Sequence, residues 1–216
     1  MFKKNETLLF IGDSITDSGA TYKEPDEIGN GFVRHINDFL KIKNPEKKLN
    51  IINKGIGGNK SIDLLKRWEK DVIKENPDLL FIFIGTNEIL GKYFEDPFIS
   101  DIDIFELNLI NMIEQTNKKT NIKLMNLIPY TKKIKNQFLF GKDLYSKENL
   151  EIIKYNKTIE KIANHYNLTY INLYEDFKKL DDLDIDLTID GIHPNSKGHM
   201  LIFTKILKTL KKEIYI

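Results

Sequence analysis

At 216 residues the chain suits one hydrophobic core, since cores usually divide only beyond roughly 250 residues. Its 33 basic and 32 acidic residues nearly cancel, to a formal net charge of +1, and their even spread argues against a nucleic-acid partner held by a field of one sign. No cysteine is present, which excludes disulfides, thiolate metal sites and a cysteine nucleophile. Residues 1–7 are polar and the apolar run 8–11 is far shorter than a signal peptide or a membrane span. The expectation is a cytoplasmic protein without membrane contact.

Leu8-Leu9-Phe10-Ile11, stopped by Gly12, reads as a strand buried on both faces. Phe32, Ile36, Phe39 and Leu40 then recur at helical spacing until Asn44-Pro45, and a second strand follows over 49–52. Ile62, Leu65, Trp68 and Val72 mark the next helix, with Ser61 as its cap and Asn76-Pro77 as its end. A third strand is predicted over 79–84, a helix over 103–117, a strand over 122–128, a helix over 147–166, a strand over 169–173 and a last helix over 196–212. This alternation implies an α/β fold in which helices cover both sides of a parallel sheet through right-handed crossovers, in one domain over 1–216. Ligand crevices in such sheets lie beyond the carboxyl ends of the strands, so residues just after strands carry the functional interest.

Four such segments stand out. Gly12-Asp13-Ser14-Ile15-Thr16-Asp17-Ser18-Gly19 follows the first strand and presents a hydroxyl where a nucleophile would meet substrate, although Gly, Asp and Ser are also ordinary turn residues. Asn53-Lys54-Gly55-Ile56-Gly57-Gly58-Asn59 follows the second and fits either a glycine turn or a cradle of backbone N–H groups. It fails the G-x-G-x-x-G dinucleotide pattern, because Lys60 stands at the last glycine position. Gly85-Thr86-Asn87-Glu88 ends the third strand with an amide able to donate to developing negative charge, or simply a turn asparagine. Asp190-Gly191-Ile192-His193-Pro194 spaces an acid and an imidazole so that one ring nitrogen meets the carboxylate while the other faces Ser14.

The remaining candidates are weaker. His35, His165 and His199 fall in predicted helices with no matching acid and read as packing or surface residues. Asp182, Asp184 and Asp186 alternate as calcium ligands do, but Leu187 and His193 replace the glycine and glutamate of an EF-hand, so a solvated acidic loop is expected and no metal. The connection 131–142, with Phe138-Leu139-Phe140, is a candidate flap. Tyr93, Phe94 and Phe98 either line a substrate cleft or close the core beneath their loop. Trp68 lies on an apolar stripe and reads as core. The chain contains no G-x-S-x-G elbow, no H-E-x-x-H and no P-loop, and no cofactor is called for.

Together, and in this order, the four segments resemble the GDSL/SGNH hydrolase superfamily. The resemblance implies a three-layer α/β/α sandwich of flavodoxin type with a central parallel five-stranded sheet. It assigns Ser14 as nucleophile, Asp190 and His193 as acid and base, and the Ser14 N–H, Gly58 and Asn87 as oxyanion donors. Residues 8–19, 53–59, the Arg67-Trp68-Glu69 helix and 190–199 are most similar to intracellular bacterial carbohydrate acetylesterases of the acetylxylan esterase kind. That implies an O-acetylated sugar or oligosaccharide as the small partner, and a homo-oligomer. Glu88, where many relatives have aspartate, and Ile189, where some sugar esterases have tryptophan, depart from the pattern.

Ser14 is then expected to attack an ester carbonyl while His193 takes its proton and Asp190 holds the imidazole. Asp13 is expected to cap the loop, with substrate contact as the other possibility. The rivals are a thioesterase or lysophospholipase with the same triad, and a silent carbohydrate-binding module. No long apolar lid favours lipid substrates.

Overall fold

A computed structural model describes residues 2–20, 27–93, 101–136 and 144–214. Five parallel strands form one sheet in the order β2-β1-β3-β4-β5: β1 (Thr7–Gly12), β2 (Asn50–Gly55), β3 (Leu79–Phe83), β4 (Asn121–Met125) and β5 (Thr169–Ile171). β1 pairs with β2 from Thr7↔Asn50 to Gly12↔Gly55 and with β3 from Leu8↔Leu79 to Gly12↔Phe83. Central β1 and β3 are apolar on both faces because helices cover both; every residue of β3 is buried.

Eight α-helices are described: α1 (Ser14–Asp17), α2 (Phe32–Lys43), α3 (Ser61–Trp68), α4 (Thr86–Tyr93), α5 (Ile102–Gln115), α6 (Leu144–His165), α7 (Tyr174–Asp182) and α8 (Ser196–Ile214). α2 and α8 pack on each other in one layer, and α3, α5 and α6 pack in succession in the other. The result is the expected α/β/α sandwich, with the strand order of a flavodoxin-type sheet. The buried apolar side chains form one cluster, in which Trp68 is fully enclosed and donates its indole N–H to Thr116 Oγ1 at 3.2 Å.

Several local expectations are corrected. β2 runs on to Gly55, because Asn53 Nδ2 donates to the carbonyls of Thr16 and Ile28 while its Oδ1 accepts from Gly55 N, so this polar residue is satisfied within the strand. The N-cap of α3 is Lys60 rather than Ser61, and beyond Trp68 the helix widens into a π-turn, Glu69–Ile73. β4 stops at Met125, since the Asn126 side chain turns to accept from the Leu173 and Tyr174 N–H groups. Three short helices that no apolar stripe announces, α1, α4 and α7, occupy stretches read as loop.

Candidate active site

The crevice lies at the carboxyl ends of β1 and β3, where the strand order reverses direction. Ser14 opens α1 directly beyond β1. Asp13 caps this one-turn helix, its Oδ1 accepting from Ile15 N at 3.0 Å, and Ser18 closes it in the left-handed conformation (φ 43°). The close approach of α1 to β2 requires a glycine at position 55, where a Cβ atom would fall 2.1 Å from Asp17 N.

His193 arrives from the loop before α8. Asp190 Oδ1 accepts from the backbone N–H groups of Ile192 (2.9 Å) and His193 (2.8 Å), which folds the acid back over its own turn. The turn is closed by Ile189 N donating to His193 O and is tied to the β4 side by Thr131 N donating to Gly191 O. Asp190 Oδ2 then meets His193 Nδ1 at 2.6 Å, and His193 Nε2 meets Ser14 Oγ at 2.9 Å. The structure thus joins Ser14, His193 and Asp190 in one hydrogen-bonded line. His193 and Asp190 keep 41% and 37% of their side-chain surface exposed, so the line is open to a ligand.

The electrostatics follow from these contacts. The Asp190 hydrogen bond, opposed by partial burial and aided by the Asp190 and Asp13 charges, raises His193 above the ordinary imidazole range. Burial pushes Asp190 upward, but the bonds from the His193 ring and from the His193 and Ile192 backbone outweigh it and hold the carboxyl well below the usual range. Asp13 is buried, and that burial, with the nearby Glu88 charge, pushes it up to about 7 against the Ile15 hydrogen bond and the His193 attraction.

The glycine loop stands beside Ser14: a Cβ on Gly57 would lie 3.9 Å from Ser14 Cβ. Gly58 adopts φ +79°, which disfavours any side chain, and has open space where its Cβ would be. Asn87 lies in the first turn of α4, not in a loop, and its Nδ2 donates to Asn59 O at 2.9 Å, leaving the second amide hydrogen for another acceptor. Ser14, Gly58 and Asn87 therefore come from three neighbouring strand ends. Tyr93 closes α4, but its side chain, together with Phe94, Phe98 and the Phe138-Leu139-Phe140 patch, lies outside the described residues.

The secondary candidates take structural places. His199 is buried; its Nδ1 accepts from Phe32 N at 3.3 Å, which places the ring proton on Nε2, 3.2 Å from Ser18 Oγ, and burial lowers its pKa to about 4. His35 packs edge-on against Phe203 and His165 is exposed. Asp182, Asp184 and Asp186 pair with Lys178, Lys132 and Lys133, and no metal-binding cluster of acids and histidines occurs among the described residues. No described helix is long and apolar enough to cross a membrane.

Residues missed from sequence surround the glycine loop. Glu88 is fully buried and accepts from Ser61 N, and Asn108 donates to Ser61 Oγ at 3.1 Å. Arg67 reaches both the glycine loop and the end of β1. The bonds from Arg67 to Gly12 O, from Ser61 N to Glu88 and from Asn108 to Ser61 Oγ join residues far apart in sequence, so no local pattern announced them; the signals were that Arg67 belongs to a helix resembling that of relatives and that Glu88 stands where many relatives have aspartate.

Comparison with known proteins agrees with this arrangement. The acetylxylan esterase of Geobacillus stearothermophilus is 30% identical over 217 residues, 95% of this chain and 94% of that protein. A structure of it, carrying a tryptophan-to-isoleucine substitution, superposes with a TM-score of 0.83 at 29% identity, covering 99% of this chain and 98% of that one. Other structures of the same esterase are described as catalytic mutants in which a serine, an aspartate or a histidine is replaced by alanine. The isoamyl acetate-hydrolyzing esterase of Schizosaccharomyces pombe is 27% identical over 95% of this chain and 75% of its own. Residues 10–201 match the GDSL-like lipase/acylhydrolase family, to which this chain therefore belongs as a carboxylic ester hydrolase.

Proposed function

We propose that the enzyme removes short acyl groups, acetyl foremost, from O-acylated sugars or oligosaccharides through an acyl-enzyme on Ser14. The observation that carries this is the unbroken line Ser14 Oγ, His193 Nε2, His193 Nδ1, Asp190 Oδ2. Further support comes from the acetylxylan esterase, whose three catalytic-mutant positions are separated along its chain as Ser14, Asp190 and His193 are here.

Asp190 fixes the proton of neutral His193 on Nδ1, so Nε2 accepts the Ser14 proton as Oγ attacks the carbonyl carbon. The imidazolium that forms is held by the Asp190 carboxylate and donates to the departing alcohol oxygen. Charge on the tetrahedral oxygen is met by the N–H groups of Ser14 and Gly58 and by the free amide hydrogen of Asn87. Water, deprotonated by His193, then releases the acid and restores Ser14. Asp13 shapes the nucleophile turn. The cytoplasmic setting, supported by a composition without cysteine, and a single domain over 1–216 belong to the same proposal.

Acetate release from acetylated xylo-oligosaccharides and other acetyl sugars, beside longer aryl esters and acyl-CoA, tests it. Acetyl sugars are expected to be turned over fastest, and Ser14→Ala to release nothing. Asn87→Ala is expected to lose about 10²- to 10³-fold in kcat with a smaller change in KM. Preference for long acyl chains would overturn the substrate class, and full turnover by Ser14→Ala would overturn the mechanism.

A further inference from the structure

Arg67 lies in the last turn of α3, and only 14% of its side-chain surface is exposed. Its guanidinium is used on three sides. Nη1 donates to Asp71 Oδ2 at 2.7 Å, Nε to Asn59 Oδ1 at 3.0 Å and Nη2 to Gly12 O at 3.2 Å. The first contact is an ion pair one turn along the chain. The other two reach the loop beside Gly58 and the carbonyl just before Asp13-Ser14.

Asn59 is held at three polar points. Its side-chain oxygen accepts from Arg67, its backbone oxygen accepts from Asn87 Nδ2 at 2.9 Å, and its backbone N–H donates to Ile56 O at 3.2 Å. Gly12 O, which Arg67 bonds, also accepts from Ile56 N at 3.1 Å, at the start of the same loop. Gly58 has no side chain to fix its peptide plane, so its orientation is dictated by Asn59 and Gly57 on either side.

We propose that Arg67 is a positioning residue that sets the oxyanion hole through Asn59, aligning the Gly58 N–H and the free Asn87 amide hydrogen with Ser14. This rests on the esterase reading above. Arg67 itself touches no substrate. A planar fork that stays charged at all working pH values imposes two directions at once, which a flexible ammonium does not. A buried ion pair is seldom the most stable filling of such a space, since apolar groups of similar volume often serve stability as well. The ion pair with Asp71 also anchors the end of α3, a contribution to stability that the melting curves below separate from the effect on the oxyanion hole.

The experiment compares Arg67→Met, Asn59→Ala, the double variant and Asn87→Ala on one acetyl ester, with a melting curve for each. Arg67→Met keeps the apolar stem and is expected to lower kcat by about 10- to 100-fold, the order that a small misplacement of catalytic groups costs, with KM within about twofold. Asn59→Ala is expected to do the same, and the double variant to be no slower than the slower single. An unchanged kcat, a change confined to KM, or losses that multiply in the double variant would overturn the proposal. Should Arg67→Met fail to fold, Arg67→Lys keeps the charge and loses the fork; it is expected to show the same kcat deficit, and full rate in it would equally overturn the role. If Asn87→Ala loses activity while Arg67→Met does not, the positioning role alone fails. If Asn87→Ala keeps full turnover, the oxyanion reading fails and this inference falls with it.

Discussion

His193 can accept the Ser14 proton only while it is neutral, and the Asp190 hydrogen bond makes the ring harder to deprotonate than a free imidazole. The acidic limb of kcat/KM is therefore expected above about 6.5, the ordinary imidazole value. Asp190→Asn removes the group that raises it, so the limb is expected to move down while kcat falls by about 10⁴-fold, the order found for the serine-protease triad. A pH–rate profile of both forms checks this; a limb below the ordinary value in the unmodified enzyme would remove His193 from the role of base. The pairing of Asp190 with His193 was legible in the sequence because its geometry is local: Asp190 folds onto the N–H groups of the next residues but one and two. Arg67 and Glu88 were not legible. Gly12 for one and Ser61 for the other are brought near only by the fold.

At the scale of elements, the strands were readable because a strand covered on both faces must be apolar throughout, as β3 is. The longer helices were readable from their stripes. α1, α4 and α7 were not, being short segments held by caps and tertiary contacts rather than by a periodic pattern. Asparagine was also opaque as composition, yet Asn53, Asn126 and Asn156 each satisfy backbone groups at the sheet's ends, Asn156 by bonding both N–H and C=O of Leu127. The packing of α1 on β2 yields a sharp expectation. In Gly55→Ala the new methyl would lie 2.1 Å from Asp17 N and 2.6 Å from Thr16 C, all backbone that cannot swing aside. α1 must shift and carry Ser14 with it, so activity is expected to fall at least about tenfold and stability by roughly 1–3 kcal/mol, as read by urea unfolding. Unaltered activity would show that α1 is not pinned by this contact.

For the molecule as a whole, burial of titratable groups next to one core sets how stability varies with pH. Asp13, raised in the folded state, binds a proton that the unfolded chain has released between about 4 and about 7, so its contribution declines as pH rises through that window. His199, lowered to about 4, acts in the opposite sense: the unfolded chain binds the extra proton between about 4 and 6.5, so stability is lost as pH falls. The two slopes oppose one another in the shared range. Asp13→Asn removes only the first and keeps an oxygen for Ile15 N. Its melting temperature is expected to exceed that of the unmodified enzyme near about pH 8 and to lose that advantage by about pH 4. Thermal melts across pH check this, and an advantage that is the same at both ends would show that the Asp13 charge is not its cause.

The bond between Ser14 and His193 spans 179 positions of the chain. The hydroxyl therefore leaves the ribosome long before its imidazole, and a nascent polypeptide that carries the first without the second has no base to draw off the proton. Messages cut short ahead of the His193 codon would yield proteins unable to cleave anything by this route, so hydrolysis in an extract reports only molecules translated past that point.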